Sequence, residues 1–456
     1  MIFDDRPAAR RNVAQPLDRR RFLRNAGVAS AAAVTLGSDV FGYNAPADAQ
    51  AASSNPIKIG LLEDRTGDLV LYGAPKSHAV ALAVAEINKY GPQNDLGAHF
   101  PTRGKPGVLG RQLTLSAPDP QSNPALYQQL ARQLIVGEKV DVLMGCVTSA
   151  SREAIRPIVD QNKQLYFYNE QYEGGVCDQY TFCTGAVPEQ QITTGVPYMM
   201  QKYGAKFYTI AADYNFGQIT AKWVRLTAAQ HGGKILGEEF IPLSVGQFNS
   251  TIAKIQAAKP DFLVALLVGT TQDAYFEQAH AAGLRVPMFS SVLMDQAYEH
   301  KRFRPPALAN MHVATNYMEE IPTPGSRAFV KRFRAMFPKE PYIGEETEAA
   351  YVGVHLYAAA VAKAKTTDQT AVIKALESGM SIEGPVGTVA MDPRDHHVSL
   401  SIFMAVADDQ QRISFPKTWP NVKPYWLDQR GCDLPKSPQQ TQYEPGDNLS
   451  TAVKAG

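Results

Sequence analysis

The sequence predicts an α/β protein built as two doubly wound parallel-sheet lobes. Three observations carry this expectation. Short β-rich runs alternate with helical periods of about 10–15 residues, the pattern of βαβ units. The alternation runs to about residue 168 and starts again near residue 189. The chain has 456 residues, room for two or three domains at roughly 150 residues each.

The elements follow in order. Ile57–Leu62 reads as a strand. A helix over 73–89 places Ala79, Leu82, Ala83 and Ile87 on one face. A strand near Gln112–Ser116 comes next, then Asn123-Pro124 as N-cap and first residue of a helix reaching about Val136. Strand Val140–Gly145, helix Ser151–Asn162 and strand Leu165–Tyr168 close the first run. The second run reads helix 189–202, strand Lys206–Ala211, helix 217–231, strand Lys234–Ile241, helix 249–258, strand Asp261–Val268, helix 271–282 and strand Pro287–Ser290. Residues 324–378 are mainly helical, Val386–Met391 and Ser399–Ala407 read as a hairpin, and the Pro/Gln/Ser-rich stretch 433–456 reads as a loose polar tail.

Composition excludes several classes. Hydrophobic residues make up 45% of the chain, enough for a large core. Forty-five basic against 44 acidic side chains leave +1, so no overall field draws nucleic acid. Four cysteines do not make a disulfide framework. No apolar run approaches the roughly 20 residues of a membrane span.

The N-terminus reads as an address. Seven arginines fall in the first 30 residues, and Arg19-Arg20-Arg21-Phe22-Leu23 precedes a short Ala/Val stretch. This pattern resembles a twin-arginine export signal. Ala47-Asp48-Ala49 fits small-x-small cleavage, so residues 1–49 are expected to be removed by export through the twin-arginine translocase. The expected location is periplasmic, where disulfides persist.

Five stretches carry a family resemblance. They are Gly145-Cys146-Val147-Thr148-Ser149-Ala150-Ser151-Arg152, Tyr168-Asn169-Glu170-Gln171-Tyr172-Glu173-Gly174, Tyr180 to Gln191, Ala212-Asp213-Tyr214-Asn215-Phe216, and Gly384-Pro385-Val386-Gly387 with Met391-Asp392-Pro393 and His396-His397. Together they resemble the type I periplasmic binding proteins of ABC transporters, most nearly the branch that binds urea and short-chain amides. The resemblance implies two lobes joined by a hinge, with ligand in the cleft. It places lobe 1 at 56–188 plus 317–372 and lobe 2 at 189–316 plus 373–432. Its hinge crossovers fall near 186–190, 314–318 and the C-terminal region.

The cleft residues follow from strand ends and from that pattern. Ser149 stands past a strand at a helix start, where a hydroxyl and amides meet a carbonyl or carboxylate, or simply cap the helix. Tyr168, Glu170, Gln171 and Tyr172 follow the next strand. Asn169 stands where the family usually has Pro, and Val147 replaces an aromatic common in urea binders. Glu170 asks for a ligand with N–H donors or positive charge, or for a protein Lys or Arg partner. Tyr214 and Phe216 offer aromatic cover from lobe 2. Thr270 and Thr271 add hydroxyls or cap a helix, and Asp295 and Gln296 follow another strand end. A short-loop disulfide between Cys177 and Cys183 fits an oxidising compartment, while Cys146 and Cys432 stay open between free and paired. His396-His397 reads as a turn feature, with no metal expected.

The expected function is capture of a small polar nitrogenous solute (urea, a short amide or an amino-acid-like compound). Hinge closure then delivers it to the permease and ATPase subunits of an ABC importer. No cofactor or catalytic residue is expected: the chain has no P-loop, no Gly-x-Ser-x-Gly and no His-Glu-x-x-His. The alternatives are an amide-sensing regulator of the same fold and a secreted enzyme.

Overall fold

The computed structural model describes residues 55–101 and 104–446, so the export segment read at 1–49 lies outside the described residues. The chain opens with β1 (Ile57–Leu62), α1 (Val70–Tyr90), β2 (Leu113–Ser116), α2 (Pro124–Arg132), β3 (Val142–Gly145), α3 (Ser149–Asn162), β4 (Tyr166–Tyr168), β5 (Val176–Asp178) and β6 (Thr181–Cys183). It continues through α4 (Pro188–Tyr203), β7 (Lys206–Ala212), α5 (Asn215–Gln230), β8 (Lys234–Ile241), α6 (Asn249–Ala258), β9 (Phe262–Leu266), α7 (Thr270–Ala281), β10 (Met288–Ser290), α8 (Glu299–Arg302) and β11 (Met311–Thr315). It ends with α9 (Pro324–Met336), α10 (Glu345–Ala364), α11 (Gln369–Leu376), β12 (Ser381–Gly384), β13 (Gly387–Met391), β14 (Val398–Ala407), β15 (Ile413–Val422), α12 (Trp426–Gln429) and β16 (Gln440–Gln442).

The first lobe is built on a five-stranded parallel sheet in the order β2-β1-β3-β4-β6. The second holds a nine-stranded sheet. Its strands β8-β7-β9-β10-β11 are parallel, and β14 joins antiparallel beside β11. Strands β13, β12 and β15 complete it, all antiparallel. This antiparallel part contains the hairpin expected over Val386–Met391 and Ser399–Ala407. Short turns join the strands beyond residue 380, and a short turn permits only antiparallel pairing.

Register sets the site. Leu62 lies level with Gly145, so Glu63 and the segment Cys146–Ser149 leave the first sheet at one edge. Ala211 lies level with Leu266, so Tyr214 and Val268 leave the second sheet together. Helix α10 is Ala-rich and buried along most of its length, packed on α1. Gly353 of α10 is required there: a Cβ would stand 2.4 Å from the Asn169 side-chain oxygen.

Two crossing points are fixed by buried amides. The chain leaves β6 for the second sheet at the start of α4. Gln190 Nε2 there donates to the carbonyls of Val398 (2.9 Å) and Val422 (2.8 Å). Gln191 Nε2 donates to Ala314 (2.8 Å).

The disulfide differs from expectation. Cys177 pairs with Cys432, and Cys183 is free and buried. Cys177 and Cys432 share one apolar cluster, whereas Cys183 belongs to another, beside Tyr172. Nor is the stretch beyond Asp433 wholly loose. Strand β16 pairs antiparallel with β5, and Gln442 Nε2 donates to Glu173 at 2.8 Å. Among the described residues no helix is long and apolar enough to cross a membrane.

Candidate functional site

The C-terminal edges of the two sheets face each other, the usual ligand position in open α/β folds. Between them lies a cavity lined by Tyr72, Val147, Thr148, Ser149, Glu170 and Gln171 from one side. Glu346 of α10 completes that wall, and Tyr214, Phe216, Val268, Val292 and Gln296 form the other. It measures about 20 Å³, so the walls stand almost in contact. Direct contacts cross it: Gly269 N–H donates to the Tyr72 hydroxyl oxygen at 3.1 Å, and Gln296 Nε2 donates to Glu345 at 3.2 Å. Tyr72, Val147 and Ala297 form a small apolar cluster between the sheets.

A buried ammonium organises the first wall. Lys76 Nζ bonds Glu170 Oε2 at 2.6 Å and the Cys146 carbonyl at 3.0 Å, with Glu63 Oε1 at 3.1 Å. Cys146 takes a positive φ of 73°, sparsely populated for a non-glycine residue, which turns its carbonyl to Lys76. Burial pulls the Lys76 ammonium down, but Glu170 and Glu63 outweigh it and hold the group well above its ordinary range. Burial pushes the Glu63 carboxyl up to about 8. Burial, with Glu346 opposite, raises Glu170 well above the carboxylate range.

Behind that wall stands a second ion pair. Arg152 Nη2 donates to Glu173 Oε1 at 2.7 Å, and its guanidinium lies 4.9 Å from the Tyr168 ring centroid and 4.6 Å from that of Tyr172. Ser149 Oγ donates to the other Glu173 oxygen. The cap of α3 is Thr148, whose hydroxyl accepts from Ser151 N–H at 3.0 Å, so Ser149 is not the capping residue.

The structure thus brings Ser149, Glu170, Gln171, Tyr214 and Phe216 to one cavity. It places Tyr168 and Tyr172 outside the cavity wall. Tyr172 bonds His397, which reaches in from the hairpin turn. Thr271 is buried and donates to the Leu243 carbonyl at 2.6 Å, also away from the cavity; Thr270 is the first residue of α7. Asp295 is buried, while Gln296 lines the cavity. His396 stacks on Phe182 with centroids 3.9 Å apart. Asp392, Asp395 and Asp428 lie close together near that turn, facing Arg394, Lys423 and His397.

Sequence reasoning missed Tyr72, Lys76 and Glu346. Tyr72 and Lys76 follow the first strand's C-terminal edge, a position that ranks them with Ser149 once strand order is known. Glu346 had no local signal, because α10 meets the cleft only through the fold. A larger cavity of about 460 Å³ sits at the opposite edge of the second sheet, among Leu263, Tyr275, Met288 and Asn310. It draws no residue from the first sheet and stands at strand N-terminal ends.

A family model described as periplasmic binding protein matches residues 56–412. The chain belongs to the periplasmic binding protein family. Among relatives of this binding protein, the Leu/Ile/Val-binding protein homolog 6 of Brucella suis biovar 1 is 23% identical over 372 residues, 79% of this chain and 90% of that one. Among solved structures it is similar to a solute binding protein of an ABC transporter from Rhodopseudomonas palustris BisB5 in complex with 3,4-dihydroxybenzoic acid. That match has a TM-score of 0.68 and 21% identity, covering 81% of this chain and 98% of the other. It is also similar to the branched-chain amino acid transporter substrate binding protein of Streptococcus pneumoniae in complex with isoleucine. There the TM-score is 0.65 with 20% identity over 79% and 100% of the two chains. These likenesses cover both sheets of the binding protein.

Proposed function

We propose that this binding protein captures a small polar nitrogenous solute by hinge closure and hands it to the membrane subunits of an ABC importer. The carrying observation is the two-sided cavity: carboxylate and amide groups on one wall, aromatic rings and an amide on the other. Gln171 Nε2 is buried with no hydrogen-bond partner, a donor ready for a solute carbonyl. Urea, a short amide or an amino-acid-like compound fits such a lining. The acidic wall argues against a purely anionic solute of the kind two-lobed neighbours hold, because Glu170 and Glu346 would repel it.

A cavity of about 20 Å³ admits a solute only when the lobes part. Lobe 1 at 56–188 plus 317–372 and lobe 2 at 189–316 plus 373–432 would swing about the crossings near 186–190 and 314–318. Ligand shifts such an equilibrium only by binding the closed form more tightly, and a swing from 1:99 to 99:1 takes roughly 5.5 kcal/mol. Export by the twin-arginine route, with cleavage near Ala49, places the mature chain in the periplasm.

A thermal-shift screen of urea, short amides, amines and branched-chain amino acids tests the reading. A true ligand raises the melting temperature by mass action. If no compound raises it and product appears instead, the protein is an enzyme and the reading is wrong.

A further inference from the structure

Two carboxylates, Glu63 and Glu170, pair with one buried ammonium, and a third, Glu346, stands on the same cavity wall as Glu170. Lys76 donates to Glu170 and to the Cys146 carbonyl, and its ammonium pairs with Glu63 at 3.1 Å. Glu346 makes no ion pair of its own among the described residues, and it stands with Glu170 on the wall of the same narrow cavity. Both line the cavity. Two carboxylates neighbouring each other in so narrow and dry a site resist ionising together; they hold one proton between them unless a cation takes its place.

The other titratable groups around them are mainly acids and tyrosines, with Lys76 as their cation. Glu63 and Asp64 follow β1, Tyr72 and Lys76 stand on α1, Glu345 precedes Glu346 on α10, and Tyr214 approaches from lobe 2. Arg152 is committed to Glu173 and Glu153. Tyr72 on the same wall, and Tyr214 and Phe216 across the cavity, present aromatic rings, which favour a cation over their faces.

We propose that the Glu170–Glu346 pair holds one shared proton in the closed cleft and exchanges it for the charged nitrogen of a small amidine or amine. The inference rests on the solute-capture reading and names its substrate class. The exchange balances simply. The solute enters as a monocation, one carboxyl O–H bond breaks, and the proton leaves to the buffer. The complex keeps the charge it had before. Neutral amides bind without that exchange and lack the charge-assisted bond to the pair.

The test is calorimetric titration of the mature chain with acetamidinium and ethylammonium, and with acetamide, urea and leucine as comparison solutes. Runs in phosphate and in Tris separate proton release from binding heat. A cation should bind with about one proton released, and its affinity should climb up to about tenfold per pH unit until the pair is ionised. Glu346→Gln should abolish the proton release and weaken the cation roughly tenfold or more, leaving the melting temperature near that of the parent. Binding of acetamide, urea or leucine, with the cations bound more weakly or without proton release, overturns the inference and leaves the capture reading standing. Binding of none of the five, with none of the wider thermal-shift set, overturns both.

Discussion

The Tyr72 hydroxyl oxygen on α1 accepts the Gly269 backbone N–H at the head of α7, at 3.1 Å, across the cleft. Under the proposed hinge the two residues belong to different lobes, so the bond would form only when the lobes meet. Tyr72 is buried, and around it Val147, Ala297 and Val268 complete an apolar contact between the sheets. In that proposal the bond would report closure and favour it.

Tyr72→Phe keeps the ring and removes the acceptor. One net hydrogen bond is worth about 1 kcal/mol, so the closed population should fall about fivefold relative to the open one. Small-angle scattering of the variant should show a larger mean radius at equal solute concentration. An unchanged scattering curve, open and saturated alike, would remove the bond from the closing equilibrium.

Stability should depend on pH through the cleft carboxyls. Burial pushes Glu63, Glu345 and Glu348 each up to about 8. An acid raised in the folded state holds a proton that the unfolded chain gives up. Its contribution is whole below the ordinary value of 4.5 and is lost as pH rises through about 8. The melting temperature should accordingly fall across that window, and Glu348→Gln should flatten part of the slope. A melting temperature that climbs from pH 5 to about pH 8 would contradict the arrangement.

Tyr214 extends the aromatic cover and its ring lies 6.0 Å from that of Phe216. Tyr214→Ala should weaken solute binding by roughly tenfold, the scale of one aromatic contact, with only a small loss of thermal stability because the residue is partly exposed at the cleft. Calorimetry showing unchanged affinity would take Tyr214 out of the site.

Much of the fold was legible because its signals are local. Strand Lys234–Ile241 and helix 249–258 coincide with their expected bounds, and Asn123 caps α2 as its Asn-Pro pair predicted. Short strands escaped. β5 and β6 follow one another with no helix between them, so the strand–helix alternation did not mark them, and β15 alternates poorly because it lies exposed along β14. In the cleft, strand-end residues such as Ser149, Glu170 and Tyr214 were legible because a sheet's C-terminal edge is known from topology. Glu170's partner was not. Lys76 reaches it from another element, and Glu346 from a helix far along the chain, so only three-dimensional packing joins them. The Cys177–Cys432 pairing is the same kind of long-range fact, since closeness in sequence pointed to Cys183 instead.

That disulfide links β5 to the segment after α12 and closes a separation of 255 residues. It also fastens the chain end that supplies Gln442, which bonds Glu173, the acceptor of Ser149 and Arg152. Breaking it should act on stability first and on the cleft wall second. A long closed loop gives typically about 2–4 kcal/mol, so Cys432→Ser should lower the melting temperature clearly, whereas Cys183→Ser should leave the link intact. Thiol titration of the denatured, unreduced protein should count two cysteines, Cys146 and Cys183, and all four after reduction. One free thiol should remain after Cys183→Ser; a count of three there, or a Cys432→Ser variant as stable as the parent, would show that the bridge lies elsewhere. In the reduced protein Glu173 loses its hold on Gln442, so solute affinity should weaken less than in a Glu173→Gln variant, which strands Arg152 as well.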